Sequence, residues 1–246
     1  MKKYYSVFAL AARGSFTKVV AVTLLVAVLC GSLLLMVNPY VELSEYYEAS
    51  ENMNLVSADD MIARSFCILP AYFGFAAVVV LLSRLGTGKG TQPAYFVKRL
   101  NVKTRVITVL WTIYNFIMIF FYRVVIALAV YGIVGYRLKG AGPQALLLAS
   151  YGNKFMHNLI PLRDIGGNIL LISITVLAAI GCALVPVLHW RNHSNSAYPV
   201  FYVVFLTGTC LNIAMSSDGT IIMIVISIIA IICLAYQAFK GDEEVD

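Results

Sequence analysis

Six long apolar stretches dominate this chain and restrict the folds open to it. A helix needs about 20 residues, at about 1.5 Å each, to cross the hydrocarbon layer of a membrane. The chain of 246 residues is 61% hydrophobic and 12% charged, with a mean hydropathy of +0.85, which is far more apolar than a soluble domain. The sequence therefore predicts an all-α membrane protein, a single transmembrane domain over residues 1–246, with spans at Val19–Val37, Ser65–Ser83, Val106–Gly135, Ile165–Leu188, Tyr198–Met215 and Gly219–Phe239.

The positions of Lys and Arg predict the orientation of these spans. Short loops rich in Lys and Arg stay in the cytoplasm. If the N- and C-termini are both cytoplasmic, most of the 18 Lys and Arg residues fall on the cytoplasmic side, and half of the 12 Asp and Glu residues fall in the first outer loop. The net charge of +6 then reflects topology, and it gives no reason to expect a nucleic-acid partner.

The five cysteines lie inside predicted spans, and no pair has the short spacing of a zinc or redox motif. We interpret them as small apolar residues and expect no metal site. We also expect no cleavable signal peptide, because Val19–Val37 is longer than a signal core and lacks a small-residue cleavage site after it.

Residues 1–18 predict an amphipathic helix that lies in the membrane interface. Aromatic and small residues recur there every three to four positions, and Lys and Arg beside them can reach the headgroups. The alternative is a disordered tail before the first span. The residues of this face are Tyr5, Phe8, Ala12 and Phe16.

The cytoplasmic loop at residues 84–105 contains RLGTGKGTQP, which has some features of a phosphate-binding loop. Such a loop requires Gly, four residues and then Gly-Lys-Ser/Thr. Here Ser83 stands at the first Gly position and Gly90 follows Lys89, so we expect no nucleotide to bind this chain. The glycines end the second span and turn the chain. The next stretch, PAYFVKRL, predicts a short basic amphipathic helix that includes Pro93, Tyr95, Phe96, Lys98, Arg99 and Leu100.

The third apolar run carries two polar residues expected inside the membrane, Asn115 and Arg123. Asn115 belongs to a stripe with Thr104, Thr108 and Trp111, which indicates a packed, partly polar face. A charge at the bilayer centre costs at least about 2.5–3.5 kcal/mol, so Arg123 is expected to face the interior of a helical bundle. The alternative places Arg123 near the outer headgroups, about 27 Å beyond the inner boundary of the span.

Residues 136–164 form an outer segment that is too apolar for a free loop and is broken by Gly, Pro and Asn. The pattern predicts short helices at Pro143–Tyr151 and Lys154–Leu159. Because His189 and His193 fall on the opposite face of the membrane, His157 is expected to be an interfacial or capping residue and not a metal ligand.

No residue pattern supports catalysis: there is no HExxH helix, no GxSxG turn and no pair of acidic residues within a span. We therefore expect no enzyme activity and no cofactor bound by this chain. A secondary transporter is the other class considered, since Pro70 and Pro186 interrupt the second and fourth spans. No intramembrane acidic residue accompanies them to carry a proton.

The order of elements resembles that of the membrane subunits of six-helix ABC exporters. FVKRLNVKTRVITVLWTIYNF (Phe96–Phe116) and NKFMHNLIPL (Asn153–Leu162) are similar to segments of permease-like proteins of gut Firmicutes. The resemblance implies a permease in the bacterial cytoplasmic (inner) membrane that forms a homo- or heterodimer with a second permease subunit. It also implies that the helix at residues 93–100 docks on a separate ABC ATPase subunit, which alone binds ATP.

One feature departs from the pattern of that family. Many such permeases have their outer helical element between the fifth and sixth spans, whereas here that link is the tight turn MSSDG and the bulk lies between the third and fourth spans. The alternative function is a small polytopic accessory, resistance or immunity protein without transport activity of its own. No set of residues predicts a substrate.

Overall fold

The computed structural model describes residues 2–37, 40–41, 54–55, 58–84, 102–137, 142–161, 164–192, 225, 228–229 and 231–236, and these are almost all α-helical. A two-residue antiparallel pairing joins β1 (Tyr40–Val41) to β2 (Asn54–Leu55), with Tyr40 opposite Leu55. The helices in chain order are α1 (Lys2–Met36), α2 (Ala58–Ser65), α3 (Ile68–Ser83), α4 (Thr104–Arg137), α5 (Gly142–Gly152), α6 (Lys154–Leu159) and α7 (Ile165–Asn192). Residues 231–236, near the end of the chain, are also helical.

Among the residues that the structure describes, three helices are long and apolar enough to cross a membrane: Tyr4–Met36 within α1, Thr104–Arg137, and Ile165–Leu188 within α7. The apolar helix α3 has 16 residues and is about 24 Å long, which is shorter than a hydrocarbon layer of about 30 Å. This architecture agrees with the all-α membrane fold predicted from the sequence. The predicted fifth span lies outside the described residues, and so does most of the sixth. The number of six spans, the side of each terminus and the orientation stay predictions.

The two longest helices, α1 and α4, run parallel. Near their starts, the indole Nε1 of Trp111 donates a hydrogen bond to the carbonyl of Val7 at 3.4 Å. Near their ends, the guanidinium of Arg137 donates to the carbonyl of Leu35. The two ends of the bundle are therefore named the Thr104 end and the Arg137 end, after the first and last residues of α4.

Helix α3 runs opposite to α1 and lies close against it. The thiol of Cys30, late in α1, lies 3.4 Å from the carbonyl oxygen of Cys67, just before α3. About two turns into α3, a Cβ on Gly74 would meet the side chain of Val26 and would lie 2.8 Å from the hydroxyl oxygen of Tyr122 on α4. The absence of a side chain at Gly74 therefore lets these three helices approach one another.

Helix α7 runs opposite to α4 and beside α3. The amide Nδ2 of Asn115, in the first half of α4, donates to the carbonyl of Ala179, in the second half of α7, at 3.4 Å. The thiol of Cys182 lies 4.0 Å from the carbonyl oxygen of Val79 on α3. The four helices thus alternate in direction along the chain. The helical residues 231–236 contact the end of α7 through Ile231, which packs with Leu184, Val187 and Leu188.

Helix α1 joins two segments that the sequence separates at Lys18. The helix is unbroken through this position, so the sequence-based boundary does not coincide with a change in the backbone. Tyr5 is 76% exposed and Phe16 is 50% exposed, so these aromatic side chains point away from the bundle. Their placement in a membrane interface stays a prediction. Small residues at four-residue spacing make the buried stripe of this half of the helix, namely Val7, Ala11, Ser15 and Val19.

The second apolar stretch, Ser65–Ser83, is not one continuous helix. Phe66 has a φ of +52°, in the left-handed region, and this residue turns the chain between α2 and α3. Pro70 lies in the first turn of α3, where a backbone amide has no intrahelical acceptor. Pro70 therefore does not interrupt α3, and the break in this apolar stretch lies just before it at Phe66, whereas Pro186 does lie inside α7.

Candidate functional site

A cationic side chain is buried just past the middle of α4. Arg123 is 2% exposed, and its Nη1 donates a hydrogen bond to the carbonyl of Asn158 on α6 at 3.3 Å. Its Cζ lies 5.6 Å from the centroid of the Phe75 ring on α3, within the range of a cation–π contact. Arg123 therefore faces the interior of the bundle, as one of the two predictions from the sequence has it, but this burial does not decide between the bilayer interior and the outer headgroups. Its depth in a membrane stays a prediction.

A second side chain of α4, Tyr131, contacts the same end of α6. Its hydroxyl group lies 3.0 Å from the carbonyl of Met156, 3.1 Å from that of Ile160 and 3.1 Å from the Ser150 hydroxyl. The last carbonyls of a helix have no partner within the helix, so they need donors from elsewhere. The phenol of Tyr131 has one proton and can donate to one of these oxygens at a time, so Tyr131 and the guanidinium together satisfy part of this need.

The other end of α6 is capped within the segment itself. The side-chain oxygen of Asn153 accepts a hydrogen bond from the backbone N–H of Met156 at 3.0 Å, which is the usual role of Asn before a helix. Phe155, Met156 and Leu159 are each at most 2% exposed and belong to the main core. The sequence predicts a helix at these residues but not its insertion into the core. Asn153 as a cap and the apolar Phe155, Met156 and Leu159 are the signals that could have indicated it.

His157 lies on a more accessible side of α6. Its Nε2 is 3.2 Å from the Oδ2 of Asp164, which directly precedes α7. The ring of Tyr151 on α5 packs against the imidazole with centroids 5.8 Å apart. The backbone N–H of Gly167 lowers the pKa of Asp164 below its ordinary value, and the positive charge of the imidazole adds to this effect.

Asn115, the other predicted intramembrane polar residue, lies in a separate part of the core. It is fully buried and donates to Ala179 as described above. Its Oδ1 accepts no hydrogen bond from the residues that the structure describes. Asn115 precedes Arg123 by about two helical turns, or about 12 Å, so the two do not form one site.

The residues predicted to contact an ATPase subunit cannot be placed. All of them lie outside the described residues, and their role stays a prediction: Pro93, Tyr95, Phe96, Lys98, Arg99 and Leu100.

Within the described part of the chain, no three or more His, Cys, Asp and Glu side chains come together as a metal site. The geometry around Arg123 is that of a docking site for a short helix. Comparisons of the chain with models of protein families, with curated proteins and with solved structures found no match.

Proposed function

We propose that this chain is the permease subunit of an ABC exporter in the bacterial inner membrane. It would have six spans with both termini in the cytoplasm, pair with a second permease subunit, and move a substrate with energy from a separate ATPase subunit. The observation that supports the proposal is the shape and charge of the Thr104 end of the bundle.

Helix α4 extends beyond α3 at the Thr104 end. The hydrogen bond from Asn115 to Ala179 places these residues at one level, and the contact between Cys182 and Val79 lies about one turn further along α7. From there α3 continues for four residues, or about 6 Å, whereas α4 has eleven residues, or about 16 Å, before Asn115. Helix α1 runs beside the start of α4, and α7 continues for 13 residues, or about 20 Å, beyond Ala179, so α1, α4 and α7 all extend beyond α3 at this end.

The projecting part is basic. The described acidic side chains, in contrast, lie toward the Arg137 end. Positively charged segments stay in the cytoplasm, which favours the Thr104 end as the cytoplasmic one. Exposed basic residues at or near this end are Arg13, Arg84, Lys103 and Arg105.

The loop that joins α3 to α4 begins and ends at this basic surface. It contains residues 93–100, for which the sequence predicts an amphipathic helix. An amphipathic helix that docks in a groove binds through a few apolar anchors, and surrounding charges steer the encounter. The Thr104 end therefore fits a soluble subunit that presents an acidic rim around an apolar groove.

The alternative function is an accessory, resistance or immunity protein that binds a partner and transports nothing. The dense core favours this alternative. Large side chains that are at most 1% exposed fill the core of the bundle, which is typical of a structural bundle. Among them are Phe75, Trp111, Ile119, Tyr122 and Ile126.

The two functions differ in whether an ATPase binds the Thr104 end. The tagged chain is purified in mild detergent from its native membrane, a P-loop ATPase is identified by mass spectrometry, and ATP hydrolysis by the complex is measured. Arg105→Glu at the Thr104 end should weaken the association, and Lys154→Glu on α6 should leave it unchanged. An active chain that carries no ATPase would favour the accessory function.

A further inference from the structure

Two exposed arginines at the Thr104 end lie at nearly the same level of the bundle. Arg105 precedes Asn115 by ten residues, so it lies about 15 Å beyond the level that Asn115 shares with Ala179. Val79 contacts α7 about 4.5 Å beyond Ala179, and Arg84 follows Val79 by five residues, or about 7.5 Å. Arg84 therefore lies about 12 Å beyond the same level, within about 3 Å of the level of Arg105.

The sequence around these arginines contains no acidic residue. Residues 61–163 include no Asp or Glu, although six Lys and Arg residues lie between Arg84 and Arg105, both included. The first outer loop, which holds half of the chain's 12 acidic residues, follows the end of α1 and so begins at the Arg137 end. Carboxylates that pair with the basic surface therefore come from a more distant part of the chain or from another molecule.

A run of acidic residues follows the helical residues 231–236. Residues 241–246 read GDEEVD and lie outside the described part of the chain. We name residues 242–246 the acidic segment. Its charge is opposite to that of the basic surface, and its carboxylates belong to Asp242, Glu243, Glu244 and Asp246.

The helical residues that precede the acidic segment pack at the Thr104 end. Ile231 belongs to one apolar cluster with the last turns of α7, which include Leu188. Leu188 follows Ala179 by nine residues, or about 13.5 Å, along α7. The level of Leu188 is thus the level of Arg84 and Arg105.

The acidic segment is close enough in sequence to reach the basic surface. Asp242 follows Tyr236, the last described residue, by six residues, which span up to about 20 Å when extended. Packed helices lie about 8–10 Å apart, and both α3 and α4 contact α7. The distance from residues 231–236 to Arg84 and Arg105 is therefore within the length of the connecting chain.

We propose that the acidic segment docks on the basic surface of its own chain at the Thr104 end. Its carboxylates pair there with exposed cations such as those of Arg84, Lys103 and Arg105. A single exposed ion pair is weak and is screened by salt. Because the segment is tethered within reach, its effective concentration is about millimolar, which lets several weak pairs act together.

The docked segment occupies the surface that, under the proposed function, receives the acidic rim of an ATPase subunit. It then competes with that subunit, which must displace it in order to bind. This competition rests on the proposed function, whereas the docking itself does not.

Zero-length cross-linking with a carbodiimide tests the docking on the full chain in detergent. The reagent joins an amine to a carboxylate in contact with it, so a link from Lys103 to the acidic segment reports the docked state. Mass spectrometry gives its yield relative to the link from Lys240, which adjoins the segment in the sequence. We expect this ratio to fall by about three- to tenfold between about 0.1 M and 1 M salt, as the Debye length shrinks from about 10 Å to 3 Å.

Variants and isotope labelling identify the surface that is involved. Arg84→Gln combined with Arg105→Gln should lower the ratio at about 0.1 M salt, and Arg64→Gln on the exposed side of α2 should leave it unchanged. A mixture of unlabelled and heavy-isotope-labelled chains separates links within one chain from links between two copies. The docking is refuted by links that form only between copies, by the absence of a link to Lys103, or by a ratio that neither salt nor the double variant changes.

A charge-neutralised variant tests the competition separately. With the carboxylates removed, co-elution of the ATPase should require about two- to tenfold less partner than with the wild type. Equal association of both chains would refute the competition and leave the proposed function intact. A cross-link to Lys103 without any associated ATPase would instead support the docking and refute the proposed function. The variant combines Asp242→Asn, Glu243→Gln, Glu244→Gln and Asp246→Asn.

Discussion

Replacing Arg123 with Met should loosen α6 from α4 while the rest of the bundle keeps its packing. Met has a similar length and no charge, so it still fills space beside Phe75. The carbonyl of Asn158 loses the donor that lies 3.3 Å away in the wild type. The wild-type contact is a hydrogen bond to a charged group in a nearly water-free position, since Arg123 is 2% exposed.

A hydrogen bond to a charged group contributes about 1.5–3 kcal/mol net of its exchange for water. The local detachment of α6 breaks this bond but leaves Arg123 beside Phe75 on the other two helices. The cation–π contact is therefore present both before and after α6 detaches, so it does not affect the local opening equilibrium. It does contribute to the free energy of unfolding of the whole bundle. The opening equilibrium of α6 in Arg123→Met should accordingly rise by about 10- to 150-fold.

Hydrogen exchange at residues 153–161 reports this opening, and amides of α1 report whether the whole bundle has loosened. Arg123→Lys serves as the control, because an ammonium group keeps the charge and can donate to a carbonyl but lacks the planar guanidinium. Its effect should be smaller than that of Met. Unchanged exchange at α6 in Arg123→Met, or an equal increase in α1, would refute the assignment of Arg123 as the anchor of α6.

The same reasoning gives three further expectations. Gly74→Ala should lower the thermal unfolding midpoint by an amount that corresponds to about 1–3 kcal/mol, because a Cβ there overlaps its neighbours; Gly132→Ala, where a Cβ meets nothing within 4 Å, should be neutral or stabilising. Asn115→Leu should lower the free energy of unfolding by less than about 1.5 kcal/mol, or should raise it, because the substitution removes a buried amide whose Oδ1 has no partner among the described residues; thermal unfolding measures this. Phe96→Ala should weaken ATPase binding by about 1–3 kcal/mol and Lys89→Ala should change it little, as measured by co-elution; the reverse order would contradict the docking-helix hypothesis.

Helix α4 shows what could be predicted from the sequence. Its apolar length predicts a span, and the spacing of Thr104, Thr108, Trp111 and Asn115 predicts a packed, partly polar face. Thr108, Trp111 and Asn115 are buried, whereas Thr104, the first residue of the helix, is partly exposed. Such predictions succeed because helical periodicity fixes which residues share a face before any partner is known.

The arrangement around Arg123 could not be predicted in the same way. Periodicity shows that Arg123 lies on a helix, but its acceptor on Asn158 is 35 residues away and belongs to a short, separate helix. The turn at Phe66 was missed for a related reason, since an apolar stretch carries no local signal for a left-handed residue that is not glycine. Both features depend on contacts between residues far apart in the sequence, and local composition and spacing do not reveal such contacts.

Arg123 and α6 each resolve a difficulty that the other creates. A short helix inserted among the long helices brings carbonyl groups at its C-terminal end away from water, and such groups require donors. A guanidinium enclosed by the same helices requires acceptors. The hydrogen bond to Asn158 satisfies part of both needs, so neither group is expected to remain in place when the other is removed.

If Arg123 contacts a transported molecule during a cycle, α6 must first withdraw and release the guanidinium. Disulfide fixation of α6 to α4 should then stop transport, whereas transport that continues with α6 fixed would confine Arg123 to a structural role.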